Sequence, residues 1–92
     1  MEKKKLSFVY YDGKRYKVKF NKEAVAKLKA TGFIREYFYT REVSSMYKSF
    51  HYALKANHPY ITKQKSFEML KSLNSKGKIL EYLIEDYDDV CS

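Results

Sequence analysis

The stretch Leu6-Ser7-Phe8-Val9-Tyr10-Tyr11-Asp12-Gly13-Lys14-Arg15-Tyr16-Lys17-Val18-Lys19-Phe20 decides the fold. Residues 6–11 and 15–20 read as two strands around Asp12-Gly13. The second alternates, with Tyr16, Val18 and Phe20 on one side and Arg15, Lys17 and Lys19 on the other. A two-residue loop at Asp12-Gly13 pairs Tyr10 with Arg15 and Phe8 with Lys17, which mixes apolar and basic residues on each face. A three-residue loop, Tyr11-Asp12-Gly13, pairs Phe8 with Tyr16 and Leu6 with Val18. It gathers Leu6, Phe8, Tyr10, Tyr16, Val18 and Phe20 on one face. Cleaner separation favours the longer loop, a type I turn with Gly13 left-handed in a bulge. A lone hairpin is marginal in water, so helices or another subunit must cover its apolar face.

The remainder reads as helices. Asn21 suits an N-cap, with Glu23 in the favourable first turn. Ala24, Val25 and Leu28 form the inner face of a helix over about 22–31, and Gly32 is the left-handed residue that ends it. Residues 33–39 fit a helical turn, an extended segment or a surface loop. Thr40 can cap a helix over about 41–57, whose stripe is Val43, Met46, Tyr47, Phe50, Ala53 and Leu54, with Tyr52 opposite. His58-Pro59 stops it. Thr62 caps a helix of about 63–73, with Phe67, Met69, Leu70 and Leu73 inward. Asn74-Ser75-Lys76-Gly77 breaks the chain. A helix of about 77–89 turns Ile79, Leu80, Leu83, Ile84 and Tyr87 inward and Glu81, Glu85 and Asp89 outward. The fold class is α+β: an N-terminal hairpin over 6–20 and three to four helices, in one small domain spanning 1–92.

Composition narrows the function. With 92 residues there is room for one modest core. Sixteen aromatics, ten Tyr and six Phe, are too many for a disordered basic tail. No apolar run approaches the roughly 20 residues of a membrane span. Lys3, Lys4 and Lys5 precede alternating residues rather than an apolar block, so no signal peptide is read. The single Cys91 cannot form an internal disulfide, and a reducing, cytosolic setting fits. Net charge is +8, unevenly placed. All 19 basic residues and six acids lie in residues 1–80, and five acids without a base lie in 81–92.

No pattern of residues points to catalysis. His51 and His58 have no companion ligands at zinc-like spacing and read as structural histidines. Cys91 lacks a rigid frame and a base. Gly13, Gly32 and Gly77 are too far apart to cradle phosphate. No catalytic residue, metal or cofactor is expected. Basic charge and tyrosines suggest nucleic acid as an alternative, with Arg15, Lys17 and Lys19 along phosphates and Tyr11 stacking. No helix carries a dense basic face, however, and no nucleic-acid motif occurs. The last helix places Glu85, Asp86, Asp88 and Asp89 where acids oppose the macrodipole, which marks a contact surface, pairing with the basic body or a frayed end.

The order of these features resembles the small tail assembly chaperones of long-tailed (siphovirus-like) bacteriophages. The resemblance spans roughly residues 6–90. It rests on the hairpin with Gly13-Lys14 at its turn, on Gly32-Phe33 closing a helix, and above all on Leu54-Lys55-Ala56-Asn57-His58-Pro59 followed by Ile61-Thr62. A final amphipathic helix rich in Glu, Asp and Tyr also fits. The resemblance implies a non-catalytic role in the host cytoplasm. Members bind the tape measure protein and keep it soluble until tail-tube protein polymerises around it, and many phages make a longer, frameshifted form as well. Homo-oligomers are compatible, and a phage-encoded inhibitor of a host protein would look alike. The contact candidates are Tyr37, Phe38, Tyr39, Tyr52, Glu81, Tyr82, Glu85, Asp86, Asp88 and Asp89, since exposed aromatics anchor partners. Changing Asp86, Asp88 and Asp89 to Asn is expected to weaken partner binding without lowering the melting temperature.

Overall fold

The structure, a computed structural model, describes residues 8–40, 43–73 and 76–92. A two-stranded antiparallel hairpin, β1 (Phe8–Tyr11) and β2 (Lys14–Lys17), leads into four α-helices. These are α1 (Lys22–Ala30), α2 (Val43–Lys55), α3 (Lys63–Ser72) and α4 (Lys76–Cys91). A 3-10 helix, Arg35–Tyr39, joins α1 to α2 and resolves the ambiguous segment. The predicted α+β architecture stands. Leu6 at the predicted hairpin start, Arg41 and Glu42 at the predicted helix start, and Asn74-Ser75 lie outside the described residues.

The hairpin register corrects the expectation of a three-residue loop. Phe8 faces Lys17, Val9 faces Tyr16, Tyr10 faces Arg15 and Tyr11 faces Lys14, so the loop is Asp12-Gly13 alone. Both loop residues have positive φ, 53° at Asp12 and 76° at Gly13, as in a type I′ turn whose twist matches the strands. Turn geometry outweighed clean facial separation. The mixed face is also not unfavourable, because the Arg15 guanidinium sits over the Phe8 ring, 4.4 Å from its centroid. The core therefore receives Val9, with Tyr11 and Tyr16 partly buried, while Phe8 and Tyr10 face out.

Predicted caps hold at two helices. Asn21 Oδ1 accepts from the Ala24 N–H at 2.7 Å, and Thr62 Oγ1 accepts from the Lys65 N–H at 3.1 Å. Each satisfies one of the first-turn N–H groups that a helix leaves unpaired. Gly32, at φ 94°, follows the end of α1. The Thr40 hydroxyl donates to the Tyr37 carbonyl at 2.9 Å, at the end of the 3-10 helix.

The core collects Val18 and Phe20 after β2, Leu28 of α1, Phe50, Ala53 and Leu54 of α2, Met69 and Leu70 of α3, and Ile79, Leu83 and Tyr87 of α4. Phe67 departs from the predicted inward stripe. It is exposed and packs edge-on against Tyr47, ring centroids 5.3 Å apart.

The segment after β2 runs between helices without a strand partner, so its backbone groups need other acceptors and donors. Lys17 N–H donates to His58 Nε2 (2.9 Å), Lys19 N–H to the Ala53 carbonyl (3.2 Å), and Phe20 N–H to Asp86 Oδ2 (2.6 Å). The Val18 carbonyl accepts from Tyr82 Oη (2.6 Å), and the Lys19 carbonyl from Asn57 Nδ2 (3.0 Å). Side chains of the α2–α3 connection and of α4, with the Ala53 carbonyl of α2, thus replace the missing strand.

Candidate interaction surfaces

The sequence-predicted contact residues separate into three groups. Phe38, Tyr82 and Asp86 are inside the protein, at 2%, 5% and 0% exposure. Phe38 sits in an aromatic cluster, with ring centroids 5.1 Å from Phe33 and 5.3 Å from Tyr87. Tyr82 and Asp86 hold the 18–20 segment. The expectation of outward side chains fails here because a helix that packs on several neighbours buries more than one narrow stripe. Tyr52 is half-buried, its ring edge-on to His51 at 5.6 Å, so its opposite-face assignment also needs correction.

Asp88 forms a second group by itself. It accepts two hydrogen bonds from Arg35, at 2.7 and 2.8 Å, in a bidentate pair that ties α4 to the 3-10 helix. That pairing holds the Asp88 carboxyl below its ordinary range and the Arg35 guanidinium above its own. Asp86 and Asp88 at the end of α4 are therefore explained by their partners.

The third group is open to solvent. Glu81, Glu85 and Asp89 are exposed at four-residue spacing on α4, as predicted. Tyr37 and Tyr39 are exposed, joined by Ile34. The tight 3-10 turn sends Phe38 inward and its neighbours outward. Tyr37 stands edge-on to Phe33 at 5.7 Å, and the Arg35 guanidinium lies 5.5 Å from the Tyr39 ring. A groove of about 380 Å³ runs beside this row, lined by Phe33, Tyr37, Thr40, Ser44, Ser45 and Lys48.

A separate surface was missed from the sequence because of the register. Phe8 and Tyr10 of β1 stand on the outer hairpin face with Arg15 and Lys17 of β2. Tyr10 is 69% exposed. The residues first placed with nucleic acid are partly elsewhere. Tyr11 lies on the inner face, with the Lys65 ammonium 5.4 Å from its ring. Lys19 Nζ pairs with Asp86 at 3.4 Å. Beside β2 lies a shallow groove of about 570 Å³, which includes Tyr16, His58, Tyr60 and Lys65. Tyr60 is 96% exposed and follows Pro59, a position no periodicity marks.

Both histidines have structural partners. His51 is buried, with Nδ1 2.6 Å from Ser66 Oγ. Burial, then the charges of Lys55 and Lys63, push its pKa down. His58 accepts from β2 and packs edge-on against Tyr16 at 5.3 Å. Among the described residues, no group of three or more His, Cys, Asp or Glu could hold a metal ion. Cys91 is a free, exposed thiol. None of the described helices is long and apolar enough to cross a membrane.

Fold and surfaces together define a small α+β domain with two open aromatic faces, one on the 3-10 helix and one on the hairpin. The chain belongs to the DUF5055 family, a domain of unknown function, whose family model matches residues 1–92. No curated protein and no solved structure matches it.

Proposed function

We propose that this chain is a non-catalytic tail assembly chaperone of a long-tailed (siphovirus-like) bacteriophage, binding the tape measure protein in the host cytoplasm during tail morphogenesis. The observation that carries the reading is the exposed row Ile34, Tyr37 and Tyr39 beside the groove at the start of α2. Solvated aromatics next to a groove suit the apolar stripe of an amphipathic helix. A tape measure protein is a long helical chain that offers such stripes repeatedly, so modest affinity per copy would suffice. The family resemblance through residues 54–62 supports the same assignment. Glu81, Glu85 and Asp89 supply an acidic surface for basic positions of the partner.

Co-expression tests this directly. A tape measure fragment that is insoluble alone is expected to become soluble with the chain and to co-elute with it. Replacing both Tyr37 and Tyr39 by Ser should return the fragment to the pellet while the chain itself stays folded. Retention of full solubilising power by that variant would overturn the assignment of the row. A phage-encoded inhibitor would use an aromatic patch of the same kind on a host protein, and would leave the tape measure fragment insoluble.

A further inference from the structure

The outer hairpin face is a different surface with different chemistry. Phe8 and Tyr10 are two residues apart on one strand, about 6.8 Å along the chain; Tyr10 is open to solvent, and Phe8 lies beneath the Arg15 guanidinium. Arg15 and Lys17 stand directly across from them. Two rings along β1 therefore stand beside two cations along β2 in a four-residue patch. β1 and β2 contain no acid, and the nearest in sequence is Asp12 at the turn. Among its described residues the face also contains no Ser, Thr, Asn or Gln. At the edge of β2, Lys17 N–H meets His58, which also borders the groove of Tyr60 and Lys65.

We propose that the outer face of the hairpin, through Phe8, Tyr10, Arg15 and Lys17, is a docking surface for single-stranded DNA, bound without sequence preference. Bases stack on exposed rings whatever their identity, while cations neutralise the backbone. A duplex hides its base faces and cannot use the rings. An acidic peptide would meet the cations but carries no base to stack on the open Tyr10 ring. Stacking and phosphate neutralisation need no 2′-hydroxyl, so a deoxyribose strand satisfies all four side chains. Charge supplies the remaining argument, since the chain carries +8 overall. The inference does not rest on the chaperone reading, because it uses the hairpin and not the 34–39 row.

Fluorescence anisotropy with a labelled oligo-dT of about 12 nucleotides provides the test, a length within the roughly 4–16 nucleotides of single-strand binding modules. The full chain should bind at micromolar concentration in about 50 mM salt and weaken steeply by about 200 mM. Tyr10→Ala should weaken binding about tenfold, as loss of one stacking platform does. Arg15→Gln with Lys17→Gln should lower the slope of log affinity against log salt by about 1.4, at about 0.7 per phosphate contact. Lys27→Gln with Lys29→Gln, on the exposed side of α1, should leave the slope nearly unchanged. Far-UV circular dichroism confirms that each variant is folded. The proposal fails if oligo-dT is not bound at 50 mM salt, or if Tyr10→Ala binds as tightly as the parent. It also fails if a duplex of equal length binds equally well, if oligo-U binds more than about tenfold tighter, or if polyglutamate binds where oligo-dT does not. Solubilisation of a tape measure fragment should be untouched by these hairpin variants, so the two readings can fail separately.

Discussion

Replacing Asp86 by Ala should cost the protein much of its stability, although the residue belongs to the acidic end of α4. Its carboxylate is fully buried and accepts from the Phe20 N–H at 2.6 Å, with Lys19 Nζ at 3.4 Å. A hydrogen bond to a charged group contributes about 1.5–3 kcal/mol, and a buried donor left without its acceptor bears the desolvation cost. The Lys19 side chain is 44% exposed, so solvent screens that pair and it adds less than about 1 kcal/mol. The expected loss is about 2–4 kcal/mol. For a domain this size 1 kcal/mol moves Tm by about 4–8 °C, which gives a drop of about 8–30 °C. Thermal unfolding followed by circular dichroism measures it. Asp86→Asn should fall between parent and Ala, because the amide oxygen still accepts from Phe20 while its NH2 meets the Lys19 ammonium. Glu85→Ala, one residue away and exposed, should melt within about 2 °C of the parent, as surface changes usually do. If Asp86→Ala also melts within 2 °C, the clamp contributes nothing and the reasoning is wrong. The triple change of Asp86, Asp88 and Asp89 to Asn is therefore expected to lower the melting temperature, contrary to the sequence-based expectation, because Asp86 is buried.

Three further outcomes follow from the same contacts. Tyr82→Phe removes the hydroxyl that donates to the Val18 carbonyl and should lower stability by about 1–1.5 kcal/mol in urea, with helix content retained. His51 has a depressed pKa in the folded state, so the unfolded chain binds the proton more readily; stability should fall as pH drops below about 6.5, and His51→Gln should flatten that decline. Arg35→Gln should return the Asp88 carboxyl towards its ordinary pKa in an NMR titration while barely changing Tm, because the pair is exposed.

The sequence was most informative where one local rule acted alone. Asn21 and Thr62 announced their helices because a side-chain oxygen before a periodic segment has little else to do. The α4 stripe was readable for the same reason. The hairpin register was not, because two rules competed there: facial separation favoured a three-residue loop, and turn chemistry favoured Asp12-Gly13. The turn prevailed, with cation–π contact between Arg15 and Phe8 making the mixed face acceptable. That reversal moved Phe8 and Tyr10 from core to surface and so hid one candidate site. Tyr82 and Asp86 were misread because their partners are backbone groups of residues 18 and 20, and no periodicity records a contact 64 or 66 positions away. The Tyr37 and Tyr39 exposure was legible, but the inward turn of Phe38 needed the 3-10 geometry.

The tethering of residues 17–20 has a consequence for synthesis. Its fastening groups come from Ala53, Asn57, His58, Tyr82 and Asp86, all made later than the segment they hold. Folding domains with such distant pairings must close long loops before those pairings repay the cost. On the ribosome, the hairpin is made first and secured last. Until α4 has left the exit tunnel, the Val18 carbonyl and Phe20 amide lack these partners, and the segment stays available to whatever chaperone or protease reaches it first.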